Sequence, residues 1–234
     1  MRVSVPHEWP ESVERAEALQ RELAPLVDPT TPDGLTVTTA AGLDVAYAEE
    51  GDLLVAAVVV LDVASLAVVD SATALAAPAF PYVPGLFAFR ELPPLLGALE
   101  RLSVTPDLLL ADGQGLAHPR RFGLACHLGL VTGLPTAGVA KTPMTAHPPP
   151  GPNRGDHAPL TDDGGREVGR ALRTRSGVKP VYVSVGHRID LDRACAEVLR
   201  LCPRYRLPET TRAADQLCRA ALREASHQDR PHQA

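Results

Sequence analysis

The chain has 234 residues and a formal net charge of −5, with 45% hydrophobic and 22% charged residues. That is ordinary for a soluble globular protein long enough to bury a core, and no apolar run approaches the roughly eighteen residues of a membrane span. The opening stretch turns acidic at once and carries no signal peptide, so a cytoplasmic protein without a membrane partner is expected. Cys126, Cys195, Cys202 and Cys218 form no CxxC pair and no zinc spacing, which predicts reduced thiols. The negative sum argues on its face against a nucleic-acid partner. It hides a split: residues 1–117 carry 5 basic and 17 acidic side chains, whereas residues 118–234 carry 18 and 11. An acidic half suited to metal ions thus meets a basic half suited to phosphates, unless the split is compositional chance.

Residues 11–27 repeat Ala16, Leu19, Leu23 and Leu26 at helical spacing behind Pro10. Residues 42–48, 53–61 and 66–77 are rich in Val, Ala and Leu and are separated by short turns, which predicts an antiparallel three-strand meander. A Pro- and aromatic-rich loop covers residues 78–85. Pro93 and Pro94 suit a first helical turn, so a helix is expected from Pro93 to about Leu102, with Glu91 just before it. Residues 108–111 read as a buried strand ending at Asp112, residues 119–131 as a helix and 135–139 as a strand ending near Lys141, alternation that gives parallel strands. Residues 145–165, rich in proline and glycine and without periodicity, are expected to form a mobile loop. Residues 168–175 and 180–185 predict a last strand pair, 190–201 and 209–223 two helices, and 226–234 a disordered tail. The simplest account is one α/β domain over residues 1–225.

Three acidic residues stand out. Asp44 interrupts the apolar strand GLDVAYA, Glu91 lies beside a proline-led helix, and Asp112 ends LLLAD before Gly113-Gln114-Gly115. A carboxylate inside an apolar strand costs several kcal/mol or so unless it is paired or metal-bound, and ligands gather at strand ends in α/β sheets. Carboxylates converging there suit Mg²⁺; alternatively each is a side chain pointing to water. His118 and Arg120 either favour an anion at a helix start or are plain turn residues. Lys141 is either a phosphate ligand at a strand end or a surface lysine. Tyr82, in the stiff run Pro81-Tyr82-Val83-Pro84-Gly85, either wedges between stacked bases or packs on its own turn. His187 is a proton relay, a phosphate contact or a structural histidine, and Asp215 a helix aspartate facing water or the site.

Taken together, GLDVAYA, PYVPGLFAFRELP, LLLADGQGLAHPRRFGLACHLG, PTAGVAK, KPVYVSVGHRIDL and YRLPETTRAAD resemble the endonuclease V (deoxyinosine 3′ endonuclease) family across residues 42–215. The resemblance implies a ribonuclease H-like mixed sheet flanked by helices. It implies cleavage of the second phosphodiester bond 3′ to deoxyinosine with Mg²⁺, for which Mn²⁺ can substitute. It places Asp44, Glu91 and Asp112 as metal-binding catalytic carboxylates, Lys141 as the catalytic lysine and Asp215 as a further acid facing the metals. Pro81, Tyr82, Val83 and Pro84 match the DNA wedge. Gly85, Phe87, Gly113, Gly123 and Met144 match the lining of the hypoxanthine pocket, and His118 a histidine near it. Beyond Lys141 the run Thr142-Pro143-Met144 departs from the family pattern. The expected partner is single- or double-stranded DNA containing deoxyinosine, bound by a monomer. Two other readings stay open: an endoribonuclease for inosine in RNA, and a non-catalytic binder of damaged strands, against which the intact acidic set and Lys141 count.

Overall fold

The computed structural model describes residues 1, 3–49 and 52–228. Ser12 caps the first helix, α1 (Val13–Leu23), by accepting the Arg15 N–H, and a 3-10 turn, Ala24–Leu26, continues it. The meander follows as β1 (Thr39–Tyr47), β2 (Leu54–Asp62) and β3 (Val68–Ala76), antiparallel throughout. Strands β4 (Leu108–Ala111) and β5 (Thr136–Ala140) lie parallel to β1. Strands β6 (His157–Thr161), β7 (Glu167–Leu172) and β8 (Val181–His187) extend the sheet antiparallel. The order is β3-β2-β1-β4-β5-β8-β7-β6 in one eight-stranded mixed sheet. The remaining helices are α2 (Ala88–Glu100), α3 (Leu124–Thr132), α4 (Leu191–Arg200) and α5 (Glu209–Gln228).

The unbroken apolar run of β2 has a cause in packing: both of its faces are covered. Ala56, Val58 and Val60 pack with Leu92, Leu95 and Leu99 of α2. Val55 and Ala57 meet Cys218, and Val59 and Leu61 meet Ala214, all on α5. Asp44 lies opposite Ala57, on the α5 side of the sheet. Among the described residues no helix is long and apolar enough to cross a membrane.

Four local expectations need correction. Helix α2 begins at Ala88 rather than Pro93, so Glu91 lies in its first turn and both prolines lie inside it. Each proline lacks the N–H for the carbonyl four residues back, but Leu92, Leu95 and Leu99 are buried to 1% exposure or less, and that burial outweighs the lost bonds. Helix α3 begins at Leu124 rather than Pro119, because Arg121 adopts a left-handed φ of +53° that stops helix propagation. The proposed loop contains β6, whose Ala158 and Leu160 alternate inward against Val168 and Ala171. Finally α5 runs on to Gln228, three residues into the proposed tail, and positions 229–234 of that tail lie outside the described residues.

Candidate active site

The sheet register brings the acids together. Leu43 of β1 pairs with Ala111 of β4, so Asp44 and Asp112 follow side by side at the carboxyl end of the parallel strands. Helix α5 closes over Asp44 because Gly42 has no side chain: a Cβ there would stand 2.2 Å from the Thr210 carbonyl carbon. The close approach sets Cys218 Sγ 3.9 Å from Asp44 Oδ2 and brings the charge of Asp215 to bear on Asp44. Glu91 reaches the same rim from α2, on the other face, where Tyr47 Oη donates to its Oε1 at 3.0 Å. Lys141, one residue past β5, donates an ion-paired hydrogen bond to Asp112 Oδ2.

The electrostatics follow from crowding. Burial, and then the neighbouring charge of Asp112, push Asp44 up to about 7. Glu91 is pushed up to about 7 by burial, with Asp44 and Asp112 adding to the effect against the Tyr47 hydrogen bond. Burial would lower the Lys141 ammonium, but its bond to Asp112 and the surrounding carboxylates raise it instead, so it stays charged. Asp215 is partly neutralised by Arg219 Nε at 2.7 Å. Among the described residues no three His, Cys, Asp or Glu side chains are gathered closely enough to hold a metal ion as they stand. The arrangement is an open rim of hard oxygen ligands carrying excess negative charge, a donor set that fits Mg²⁺ better than a softer metal.

A second group of residues surrounds the proline-rich loop. Tyr82 is 73% exposed at its tip, with Pro81 and Pro84 also exposed and Val83 partly buried on the cluster of Phe80, Leu86 and Phe89. The turn closes through Leu86 N–H to the Val83 carbonyl, 2.9 Å, and Gly85 follows in the left-handed region at φ +80°. The Gly85 carbonyl accepts three hydrogen bonds, from Gln20 Nε2 (3.0 Å), His118 Nε2 (2.9 Å) and Arg120 Nη2 (3.2 Å). His118 accepts the Arg120 N–H at Nδ1, so its proton sits on Nε2. Burial, with the Arg120 charge beside it, lowers its pKa to about 4 and keeps the ring neutral. His118 and Arg120 therefore both hold the loop, and the neutral His118 ring offers no charge to an anion.

Phe87, Gly113 and Gly123 adjoin this loop. A Cβ on Gly113 would stand 3.1 Å from Phe87 Cζ, and one on Gly123 would stand 2.1 Å from the Gln114 carbonyl oxygen. Gly113 thus lets a ring lie over the backbone, and Gly123 lets two backbone segments pack. The segment after Lys141 is tied in by Gln114 Nε2 donating to the Thr142 carbonyl at 3.0 Å, while Met144 is 41% exposed. His187 stands apart. It pairs with Thr136 at the start of β5, whereas Lys141 follows the end of that strand, a separation of about 16 Å along the sheet. Its Nδ1 accepts the Asp28 N–H at 3.1 Å.

Sequence reasoning missed Tyr47, Arg90 and Gln20. Tyr47 had a signal: three residues after Asp44 on a strand, it must face the side opposite Asp44, where Glu91 lies. Arg90 stacks 5.1 Å over the Tyr47 ring and donates to the Phe80 carbonyl at 2.9 Å. Tyr47, Arg90 and Tyr82 line one cleft of about 290 Å³, and Tyr47 links it to the acidic rim through its hydrogen bond to Glu91.

Comparison with known proteins identifies the family. The family model described as Endonuclease V matches residues 21–216. The Endonuclease V of Streptomyces avermitilis is 58% identical over 228 residues, covering 96% of this chain and 98% of the relative. A crystal structure of the Streptomyces avermitilis protein superposes with a TM-score of 0.87 at 57% identity, covering 97% of this chain and all of that one. The Ciona intestinalis Endonuclease V, solved with a 24mer DNA containing an inosine followed by a ribo-adenosine, matches with a TM-score of 0.81 at 26% identity, over 92% of this chain and 100% of that one. This chain belongs to the endonuclease V family.

Proposed function

We propose that this protein is a Mg²⁺-dependent endonuclease that recognises deoxyinosine in DNA and hydrolyses the second phosphodiester bond 3′ to it, leaving 5′-phosphate and 3′-hydroxyl ends. The observation that carries the reading is the meeting of Asp44, Asp112, Glu91 and Lys141 at one rim, which the Tyr47–Glu91 hydrogen bond links to a cleft lined by the exposed Tyr82. We read the chain over residues 1–225 as a single ribonuclease H-like domain that works as a cytoplasmic monomer.

Asp44, Asp112 and Glu91 would hold the cation, with Asp215 behind Asp44. When bound, Mg²⁺ supplies Lewis acidity toward the scissile phosphate and acidifies the attacking water; Mn²⁺ would serve similarly. Lys141 is charged and half-exposed, so it balances the added charge on the phosphorane as a point charge. Tyr82 enters the stack where the lesion leaves it, which offsets part of the few kcal/mol or so of unstacking. Gly85, Phe87, Gly113 and Gly123 offer a ring and bare backbone to the extruded hypoxanthine, so the base is read largely by main-chain groups. Arginines of the second half track the phosphates, and binding weakens with salt.

The test is purified protein with Mg²⁺ on a strand containing one deoxyinosine. A nick one nucleotide beyond the lesion that disappears in Asp44→Ala supports the reading. No nick, or an equal rate in Asp44→Ala, overturns it. The ribo-adenosine after inosine in the DNA bound by the Ciona intestinalis relative favours one second reading, inosine-specific cleavage of RNA. Matched ribo- and deoxyribo-oligonucleotides separate the two through the 2′-OH.

A further inference from the structure

Gln20 is a polar side chain in an apolar setting. It lies on α1 at 1% exposure, beside Leu19 and Leu23, which pack with Phe80, Leu86, Phe89 and Phe122. Burying an amide there is unfavourable unless its hydrogen bonds are made. They are made, and all to one region. Both Nε2 protons are used, one on the Gly85 carbonyl at 3.0 Å and one on the Phe122 carbonyl at 2.9 Å. Oε1 accepts from Arg120 Nε at 2.5 Å, and Arg120 is steadied from the same helix by Glu17 at 3.2 Å.

The three partners belong to separate segments. Gly85 ends the Pro81–Pro84 turn that projects Tyr82, and Phe122 immediately precedes Gly123 of the glycine-lined backbone. Arg120 itself reaches back to Gly85. One amide therefore joins the stem of the wedge to the wall of the base pocket. Gln20 is the one polar side chain among the buried residues of α1, and Glu17 of the same helix reaches Gly85 only through Arg120.

Resting on the function proposed above, we infer that Gln20 is a positioning residue: through the Gly85 and Phe122 carbonyls it sets the stance of the Tyr82 wedge relative to the base pocket. It touches no substrate. Its effect is felt where the wedge is needed, at an inosine that is stacked and paired, and is small where the base is already unstacked. A wedge loosened at its stem enters the stack less often in the right place, and misplacement near 1 Å is enough to cost a hundredfold in rate or so.

The experiment compares Gln20→Leu with the wild type on two substrates: inosine in a fully paired duplex and the same inosine in an unpaired single strand. The expected result is about a tenfold loss of kcat/KM on the duplex and less than about a twofold loss on the single strand. Equal losses on both substrates, or no loss on either, overturn the inference. Hydrogen exchange of the free protein supplies a readout independent of activity. Faster exchange confined to residues 82–86 and 120–123 is expected, and unchanged exchange there overturns the inference. If Gln20→Leu fails to fold, Gln20→Asn keeps the amide but is one methylene too short to reach both carbonyls, and the same outcomes apply. A wild-type protein that leaves inosine uncut in both substrates defeats the proposed function itself, an outcome distinct from a wild type that cuts and a variant that does not discriminate.

Discussion

Replacing Asp44 by Asn should stabilise the cation-free protein, and the gain should depend on pH. Asp44 titrates near 3.8 in an unfolded chain and at about 7 in the folded one, because burial and the Asp112 charge disfavour its ionised form. Between those values the folded chain holds a proton that the unfolded chain has lost. Wild-type stability therefore falls as pH rises from 4 towards 7 and stays reduced above it. At about 1.4 kcal/mol per unit, the full shift sets a ceiling of about 4 kcal/mol. The site is open on one side, so solvent screening reduces the expected gain to about 1–3 kcal/mol. The assay is urea unfolding in EDTA at pH 8 and at pH 4.5. Asp44→Asn should be the more stable chain at pH 8, with the gap closing at pH 4.5. Added Mg²⁺ should raise the wild type by mass action and the variant by less. A variant that is less stable at pH 8, or a gap that ignores pH, would refute the picture of an acidic rim held under repulsion.

The other expectations concern charge, backbone approach and a buried histidine. Lys141→Met should lower the single-turnover nicking rate on inosine DNA by about 10²–10³-fold. Its half-exposed pair with Asp112 is worth only about 0–1 kcal/mol of stability, so a large drop in the urea midpoint would contradict the assignment. Gly42→Ala should destabilise by about 3 kcal/mol in urea unfolding, since its Cβ meets the Thr210 backbone at 2.2 Å. Gly97→Ala, whose Cβ would lie 3.7 Å from Ala74 Cβ, should stabilise α2 by about 0.5–1 kcal/mol as the matched control. His127 is fully buried among the Trp9, Phe89 and Phe122 rings. Burial, and then the His7 charge, lower it to about 3. Below pH 6.5 the unfolded chain takes a proton the folded one refuses, so stability drops by up to about 1.4 kcal/mol per unit as pH falls. His127→Phe should flatten that limb between pH 6.5 and 4, measured by urea midpoints.

Much of the fold can be read along the chain. The meander, the short strand before Asp112 and the strand before Lys141 are where the apolar runs place them, because buried strands need apolar residues and short turns. The errors fall where tertiary contacts overrode local preference. Pro93 and Pro94 favour a helix start, yet burial of Leu92, Leu95 and Leu99 carries α2 a turn and a half earlier. Pro159 inside residues 157–161 hides an edge strand whose inward residues are only Ala158 and Leu160. The start of α3 depends on one left-handed arginine that composition does not announce.

For the site, the sequence alone determined the chemical types: carboxylates within a strand, at a strand end and beside a helix start, a lysine after a strand, an aromatic on a stiff turn. These are legible because each sits against its local pattern. The tertiary structure decided their partnerships. Register put Asp44 beside Asp112, the missing side chain of Gly42 let α5 close over them, and the two faces of the sheet delivered Glu91 and Asp215 to one rim. It also made His118 and Arg120 tethers of Gly85, carried His187 to the end of β5 opposite Lys141, and tied Gln20 to the Gly85 turn. Hydrogen bonds and charge repulsion act over a few ångströms in space, between residues that are 65 or 100 positions apart along the chain; no local pattern encodes which of them will meet.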